Sequence, residues 1–192
     1  MSIQLSRPAL IAFIACVLIA ANAQAEKLRV KDAEAAYDRG LYAEALHIAR
    51  PLAEQGNSRA QYLLSLMYKL GRGVTPDRCE STIWADKAAR QGHPGGQYSM
   101  AWAHFSGHGI PRNDEMAYRW ALSAQRAGDK LVAEDLEMFG SGLSEAARRQ
   151  IKATMKDWRA QEQKPVKVVR PPTGWLRRAL WRLRGGWLCK DW

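Results

Sequence analysis

A chain of 192 residues has room for one packed domain plus additional ends, and an apolar fraction of 47% permits a core. The formal charge of +10 is unevenly spread: residues 163–192 hold eight Lys and Arg against one acid, a net +7, whereas residues 26–162 stand near +2. Three cysteines exclude a disulfide-dense scaffold; Cys16 falls in the first apolar run, and Cys79 and Cys189 remain as a pair whose bonding the sequence leaves open.

At the amino terminus a short polar stretch, Met1 to Pro8 with Arg7 as its only charge, precedes an uninterrupted apolar run from Ala9 to Ala21. Ala23-Gln24-Ala25 then places small residues at both positions that a signal peptidase requires. This pattern predicts a secretory leader over residues 1–25, cleaved after Ala25, and a mature chain exported to the periplasm. The apolar run of about 13 residues is short for a ~30 Å hydrocarbon core, so the alternative, a retained anchor from Pro8 to Ala25, is the weaker reading. A lipoprotein site at Cys16 fits poorly, because Cys16 lies mid-run before Val17-Leu18-Ile19.

Residues 26–56 read as an opening helix pair that turns at Gly40. Ala33, Ala36 and Tyr37 fall on one face of its first helix, and Tyr42, Ala43, Ala45 and Leu46 follow the turn. Pro51 is expected to kink or break the second helix, since proline lacks the N–H and clashes with the preceding turn. Two ungapped segments of equal length follow, residues 57–92 and 93–128. Shifted by 36 positions they share Gln61/Gln97, Tyr62/Tyr98, Gly71/Gly107, Gly73/Gly109, Trp84/Trp120, Ala85/Ala121, Ala88/Ala124 and Arg90/Arg126. Each reads as helix, glycine turn, helix, glycine stop. Ala60, Leu63, Leu64 and Met67 make an apolar face, and Asp77 and Asn113 stand as N-caps of the second helices. Gly95 and Gly96 depart from the expected small helix formers. At roughly 1 kcal/mol each relative to alanine, they predict a late start for that helix or a weak junction. Residues 129–161 complete the stack, with a helix over Lys130–Phe139 and a long one from a Ser144 cap to about Gln161, placing Ile151, Met155 and Trp158 on one face.

Ala60-Gln61-Tyr62, Gly71-Arg72-Gly73-Val74 and Trp84-Ala85-Asp86-Lys87-Ala88-Ala89-Arg90-Gln91-Gly92, with their partners in the second unit, resemble the Sel-one-like repeat family, a subclass of tetratricopeptide-like helical solenoids. The resemblance covers about residues 32–160. It implies an all-α fold, a right-handed α-solenoid of antiparallel helix pairs, and a non-catalytic role in binding a protein or peptide. Stacked pairs make an extended concave surface, and Trp102, His104, Tyr118 and Arg119 are its candidate partner groove. Trp84, Trp120, Tyr62 and Tyr98 recur in register and are assigned to packing.

Residues 162–192 form a proline-containing linker followed by a short amphipathic helix. Leu176, Ala179, Leu180 and Leu183 make its stripe, while Trp175, Arg177, Arg178, Trp181, Arg182 and Arg184 are candidates for contact with an anionic membrane surface. A disordered basic end without a role is the competing reading. Nucleic acid, which would also accept arginine and stacking aromatics, is not an expected partner of an exported chain.

No motif for catalysis or cofactor binding appears. His104 and His108 share the four-residue spacing of a helical metal pair, but Gly107 and Gly109 interrupt the helix and no acidic ligand follows, so no metal site is assigned. His47 and His93 read as ordinary surface or packing residues. Asp86, Glu115, Glu134 and Asp135 read as solvated charges. A membrane-surface protein acting through its tail and a cell-wall-associated accessory factor remain as alternative functions.

Overall fold

The computed structural model describes residues 25–27, 29–107 and 109–159. Most of the predicted leader, His108, Cys189 and the tail with its predicted amphipathic helix lie outside the described residues. Helix α1 occupies residues 29–38. It is followed by α2 (Tyr42–Glu54), α3 (Ser58–Leu70), α4 (Arg78–Arg90), α5 (Pro94–Ser106), α6 (Asp114–Arg126), α7 (Val132–Gly140) and α8 (Glu145–Thr154). No strand occurs among the described residues. Helices α3/α4 and α5/α6 form the packed pairs of the two repeats, α2 packs on α3, α4 on α5 and α7 on α6, and α8 reaches back to α6.

The helix ends follow from particular side chains. Asn57, Asp77, Asn113 and Ser144 accept backbone N–H groups at the starts of α3, α4, α6 and α8. Gly71 and Gly107 close α3 and α5 in the left-handed region, at φ 68° and 72°, where a Cβ is disfavoured. The repeat extends to the loops beyond them: Asp77 donates its N–H to the Tyr68 carbonyl at 3.0 Å, and Asn113, 36 residues on, does the same to His104 at 2.9 Å.

The core is built on alanine, which lets helices approach closely. Ala33, Ala36, Ala45, Ala49 and Ala60 pack with Leu52, Leu63, Leu64 and Met67 in the first half. Met100, Tyr118, Trp120, Phe139, Ile151 and Met155 dominate the second half. Helix α4 serves both, with Trp84 in the first cluster and Ala85 and Ala89 in the second.

Three local expectations need correction. Helix α2 continues through Pro51 to Glu54. The proline sits in the last turn and removes one hydrogen bond, while burial of Ala49, Leu52 and Ala53 around it holds the segment in place. Helix α8 ends at Thr154, well short of Gln161. The Met155 carbonyl instead receives the Arg126 guanidinium and the Trp158 N–H, which turns the chain and returns Trp158 against Trp120. Helix α5 starts on time at Pro94, with His93 Nδ1 accepting the Gly96 N–H at 3.3 Å.

The paired glycines of α5 are close-packing positions. A Cβ on Gly96 would lie 2.8 Å from the Ala89 nitrogen and 2.9 Å from the Ala88 Cβ on α4; one on Gly95 would lie 2.5 Å from Cζ of Tyr62. Helix propensity favours Gly96→Ala by about 1 kcal/mol, but overpacking against a neighbouring backbone costs about 1–3 kcal/mol. The obstructing atoms belong to α4 itself and have no rotamer to escape into. Gly96→Ala is therefore expected to lower stability by about 1–2 kcal/mol in urea titration, opposite to the sign that propensity alone gives.

Candidate functional site

A glutamine at one place in each repeat ties successive helix pairs together. Gln61 Nε2 donates to the Ala53 carbonyl at 3.1 Å, and Gln97 Nε2 donates to the Ala89 carbonyl at 3.4 Å. Both side chains are buried and reach the end of the preceding helix. In the first repeat, Gln91 Nε2 donates to Gln61 Oε1 at 2.7 Å and completes the clamp. The residue corresponding to Gln91 is Ala127, and Gln97 Oε1 is left buried without a partner among the described residues. Gln91 and Ala127 have nearly the same backbone, φ −84°, ψ 5° and φ −78°, ψ −1°. Ala127→Gln is expected to supply the missing donor and raise stability by about 0.5–1.5 kcal/mol. Denaturant midpoints check this, and the gain should vanish in a Gln97→Leu background.

These clamps hold α3, α4 and α5 around an open groove of about 390 Å³. Leu70 of α3, Ala85 of α4 and Trp102 and Ala103 of α5 give it apolar walls, and Lys69 stands at its rim. Trp102 is fixed from behind by edge-to-face contacts with Phe139 at 5.3 Å, Phe105 at 5.9 Å and Tyr98 at 6.5 Å. Tyr98 in turn donates its hydroxyl to Asp135 on α7. The indole is therefore a rigid wall of the groove, with little rotamer freedom left to lose on binding. Leu70 is 51% exposed, a large apolar side chain left at the edge.

The four sequence-derived groove residues do not form one surface. Trp102 lines the groove. His104 is largely buried on α5; its Nδ1 has no partner among the described residues, and burial pushes its pKa down to about 4. Tyr118 lies in the core at 1% exposure, with its ring against the space left by Gly140. Arg119 pairs with Glu115 and donates to the Thr154 hydroxyl, which commits it to the α6–α8 packing. The membrane candidates Trp175, Arg177, Arg178, Trp181, Arg182 and Arg184 lie outside the described residues. Asp86, expected among the solvated charges, is instead 5% exposed and paired with Arg90 at 3.0 Å. Burial also lowers the His93 pKa, and the ring stacks on Tyr62 at 4.6 Å. Among the described residues no group of three or more His, Cys, Asp or Glu side chains is placed to hold a metal ion. None of the described helices is long and apolar enough to cross a membrane.

Cys79 adds a feature that the sequence leaves open. It is disulfide-bonded and 1% exposed, in the first turn of α4 beside the groove residues Arg78 and Thr82. Leu70, Lys69 and the α4 wall were not among the sequence candidates. Each is unremarkable in its own helix and acquires meaning only when three helices converge.

Two-helix units repeating at 36 residues, held by paired glycines and buried glutamines, define an α-solenoid. The Sel1 repeat model matches residues 58–93 and 94–129. The chain is similar to a Sel1 repeat protein from Oxalobacter formigenes, at 26% identity and TM-score 0.57, covering 69% of this chain and 58% of that one. A protective antigen of uropathogenic Escherichia coli displaying an SLR fold matches with TM-score 0.62 at 20% identity, over 82% of this chain and 32% of that one, a likeness of fold. The chitin synthase regulator SKT5 of Saccharomyces cerevisiae is 30% identical over 109 residues. That match takes in 56% of this chain and only 16% of the regulator's length. This chain thus carries two Sel1 repeats in a Sel1-like solenoid, and Sel1 repeat proteins generally mediate protein–protein interaction.

Proposed function

We propose that this chain is an exported, non-catalytic scaffold that binds a peptide segment of a partner protein in the groove of α3, α4 and α5. The observation that carries the reading is the groove's composition: a rigid Trp102 wall and a half-exposed Leu70 beside the Lys69 ammonium. Aromatic and aliphatic pockets of this kind take apolar anchors, and a rim cation selects an acidic neighbour. The fitting segment therefore carries an aromatic or large aliphatic residue next to an aspartate or glutamate.

The leader pattern supports delivery to the periplasm, with Glu26 as the first residue of the mature chain. The mass of the periplasmic protein tests this: cleavage after Ala25 is expected, and an uncleaved chain sedimenting with membranes contradicts it. Binding is tested with hexapeptide probes containing Trp next to Asp. Lys69→Glu and Leu70→Ala are each expected to weaken the best probe at least tenfold while leaving the melting temperature within about 2 °C, since exposed positions contribute little to stability. Equal affinity across wild type and both variants would remove the groove from the account.

A second reading, attachment to an anionic membrane surface, rests on the tail. Four of the eight tryptophans fall in residues 175–192, interleaved with Arg177, Arg178, Arg182 and Arg184. It predicts co-sedimentation with anionic but not neutral liposomes, lost when those four arginines are changed to glutamine.

A further inference from the structure

We infer that the junction between the two repeats is a pH-sensitive joint: protonation of His93 removes the side-chain cap of α5 and loosens the groove that α5 lines. The joint stands on its own geometry, and its effect on binding rests on the groove being the binding surface.

A capping acceptor recurs every 36 residues, at the starts of α3, α5 and α7, as Asn57, His93 and Asp129. Asn57 Oδ1 accepts the Arg59 and Ala60 N–H groups at 3.1 and 3.0 Å. Asp129 Oδ1 accepts those of Leu131 and Val132 at 2.9 and 3.4 Å. Between them, His93 Nδ1 accepts the Gly96 N–H at 3.3 Å. Of these three residue types only histidine changes its charge near neutral pH, and an imidazole nitrogen accepts only while it carries no proton. A proton on Nδ1 turns the acceptor into a donor that faces another donor. It also places a positive charge at the positive end of the α5 dipole.

Hydrogen bonds hold this junction less firmly than the one before it. Gln97 donates to the Ala89 carbonyl at 3.4 Å, and its Oε1 has no partner among the described residues. Gln61, one repeat earlier, makes the same bond at 3.1 Å and also accepts from Gln91. Gly95 and Gly96 give the first turn of α5 low intrinsic helix stability, so the cap matters more there. Ser99 follows three residues beyond Gly96, then Trp102 and Ala103, and the capped end therefore carries the α5 wall of the groove.

The surroundings of His93 set the direction. Burial above all holds its pKa below the ordinary histidine value of 6.5; Arg59 on α3 adds to this and Asp129, after α6, opposes it. Tyr62 of α3 stacks on the ring at 4.6 Å, and Arg59 is paired with Glu34 of α1. On α4, Lys87 lies over the Trp84 ring and Arg90 pairs with Asp86, while Asp135 of α7 accepts the Tyr98 hydroxyl. An uncapped imidazole takes up its proton at a higher pH than the capped one. Neutral pH therefore favours the closed joint, and the cap is lost as pH falls below the ordinary histidine range.

The experiment follows amide exchange by NMR in the full mature chain and its His93→Asn variant between pH 7.5 and pH 4.5, corrected for intrinsic exchange rates. In wild type, protection at Gly96 and Gln97 is expected to fall about fivefold or more at acid pH, the effect of losing one cap. Protection at Arg59 and Ala60, under the Asn57 cap, should change less than about twofold. His93→Asn supplies a cap that does not titrate and should hold Gly96 and Gln97 within about twofold across the range. His104 is present in both chains, so the comparison isolates His93. A hexapeptide probe containing Trp next to Asp should lose about fivefold more affinity on acidification with wild type than with His93→Asn. Unchanged protection at Gly96 in wild type, an equal fall under the Asn57 cap, or an equal fall in His93→Asn would each overturn the joint. Opening without this difference in affinity would overturn its control of binding and leave the groove reading standing. If no probe binds at any pH the groove reading fails, and the exchange result alone decides the joint.

Discussion

Trp120→Ala is expected to destabilise the protein by about 3–5 kcal/mol, the usual cost of emptying a fully buried aromatic site. Trp120 is 1% exposed and meets Trp158 edge to face at 4.9 Å, so it joins α6 to the turn that follows α8. Its Nε1 has no hydrogen-bond partner among the described residues, so the loss is one of packing. Trp120→Phe, which keeps most of the ring area, should therefore cost less than about 1.5 kcal/mol. Against a total stability of about 5–15 kcal/mol, the alanine variant should melt on the order of 10 °C lower. Urea titration of both variants checks the pair. Similar losses for Ala and Phe would mean that the indole N–H, not the ring volume, sets the energy.

Acidification is expected to destabilise the protein through His104. Burial lowers its folded pKa to about 4, whereas an unfolded histidine titrates near 6.5. Between those values the unfolded chain binds the proton and the folded chain does not, so stability rises with pH across the window. The contribution is complete above about pH 6.5 and disappears as pH falls towards 4. A difference of that size corresponds to roughly 3–4 kcal/mol over the whole window. His93, lowered by burial as well, acts in the same direction. Unfolding free energies measured between pH 7 and pH 4.5 should show this slope, and His104→Gln should flatten most of it. An unchanged slope in that variant would assign the effect to other groups.

The repeat was readable in the sequence because its markers have few other uses. Glycines 36 apart, caps at Asp77 and Asn113 and the Trp84/Trp120 pair impose turns, starts and core contacts wherever they stand. What escaped was set by contacts between elements. Gly95 and Gly96 look like helix defects until α4 is laid across them, and Pro51 looks like a breaker until the burial around it is counted. The Gln61/Gln97 identity was visible, but its meaning needed the Ala53 and Ala89 carbonyls to be placed beside the side chains. A polar residue recurring on an otherwise apolar face was the available signal for such a clamp.

The groove was less accessible than the fold for the same reason. Trp102 stood out as an aromatic on α5, while Tyr118, equally conspicuous in sequence, is consumed by the core. Lys69 and Leu70 sit at the end of α3 and are ordinary until α4 and α5 close around them. The other cysteines, Cys16 and Cys189, lie far from Cys79 in sequence, and sequence separation says nothing about Cα distance.

The central claim is that the exported chain holds a protein segment between α3, α4 and α5. A photo-crosslinking amino acid placed at Leu70, and in a separate chain at the equally solvent-facing Leu131, tests it most directly; these two leucines are 51% and 63% exposed. The account predicts a discrete peptide adduct, mapped by mass spectrometry, from position 70 and not from position 131, diminished by Lys69→Glu. Adducts of equal yield from both positions, or from position 131 alone, would contradict it.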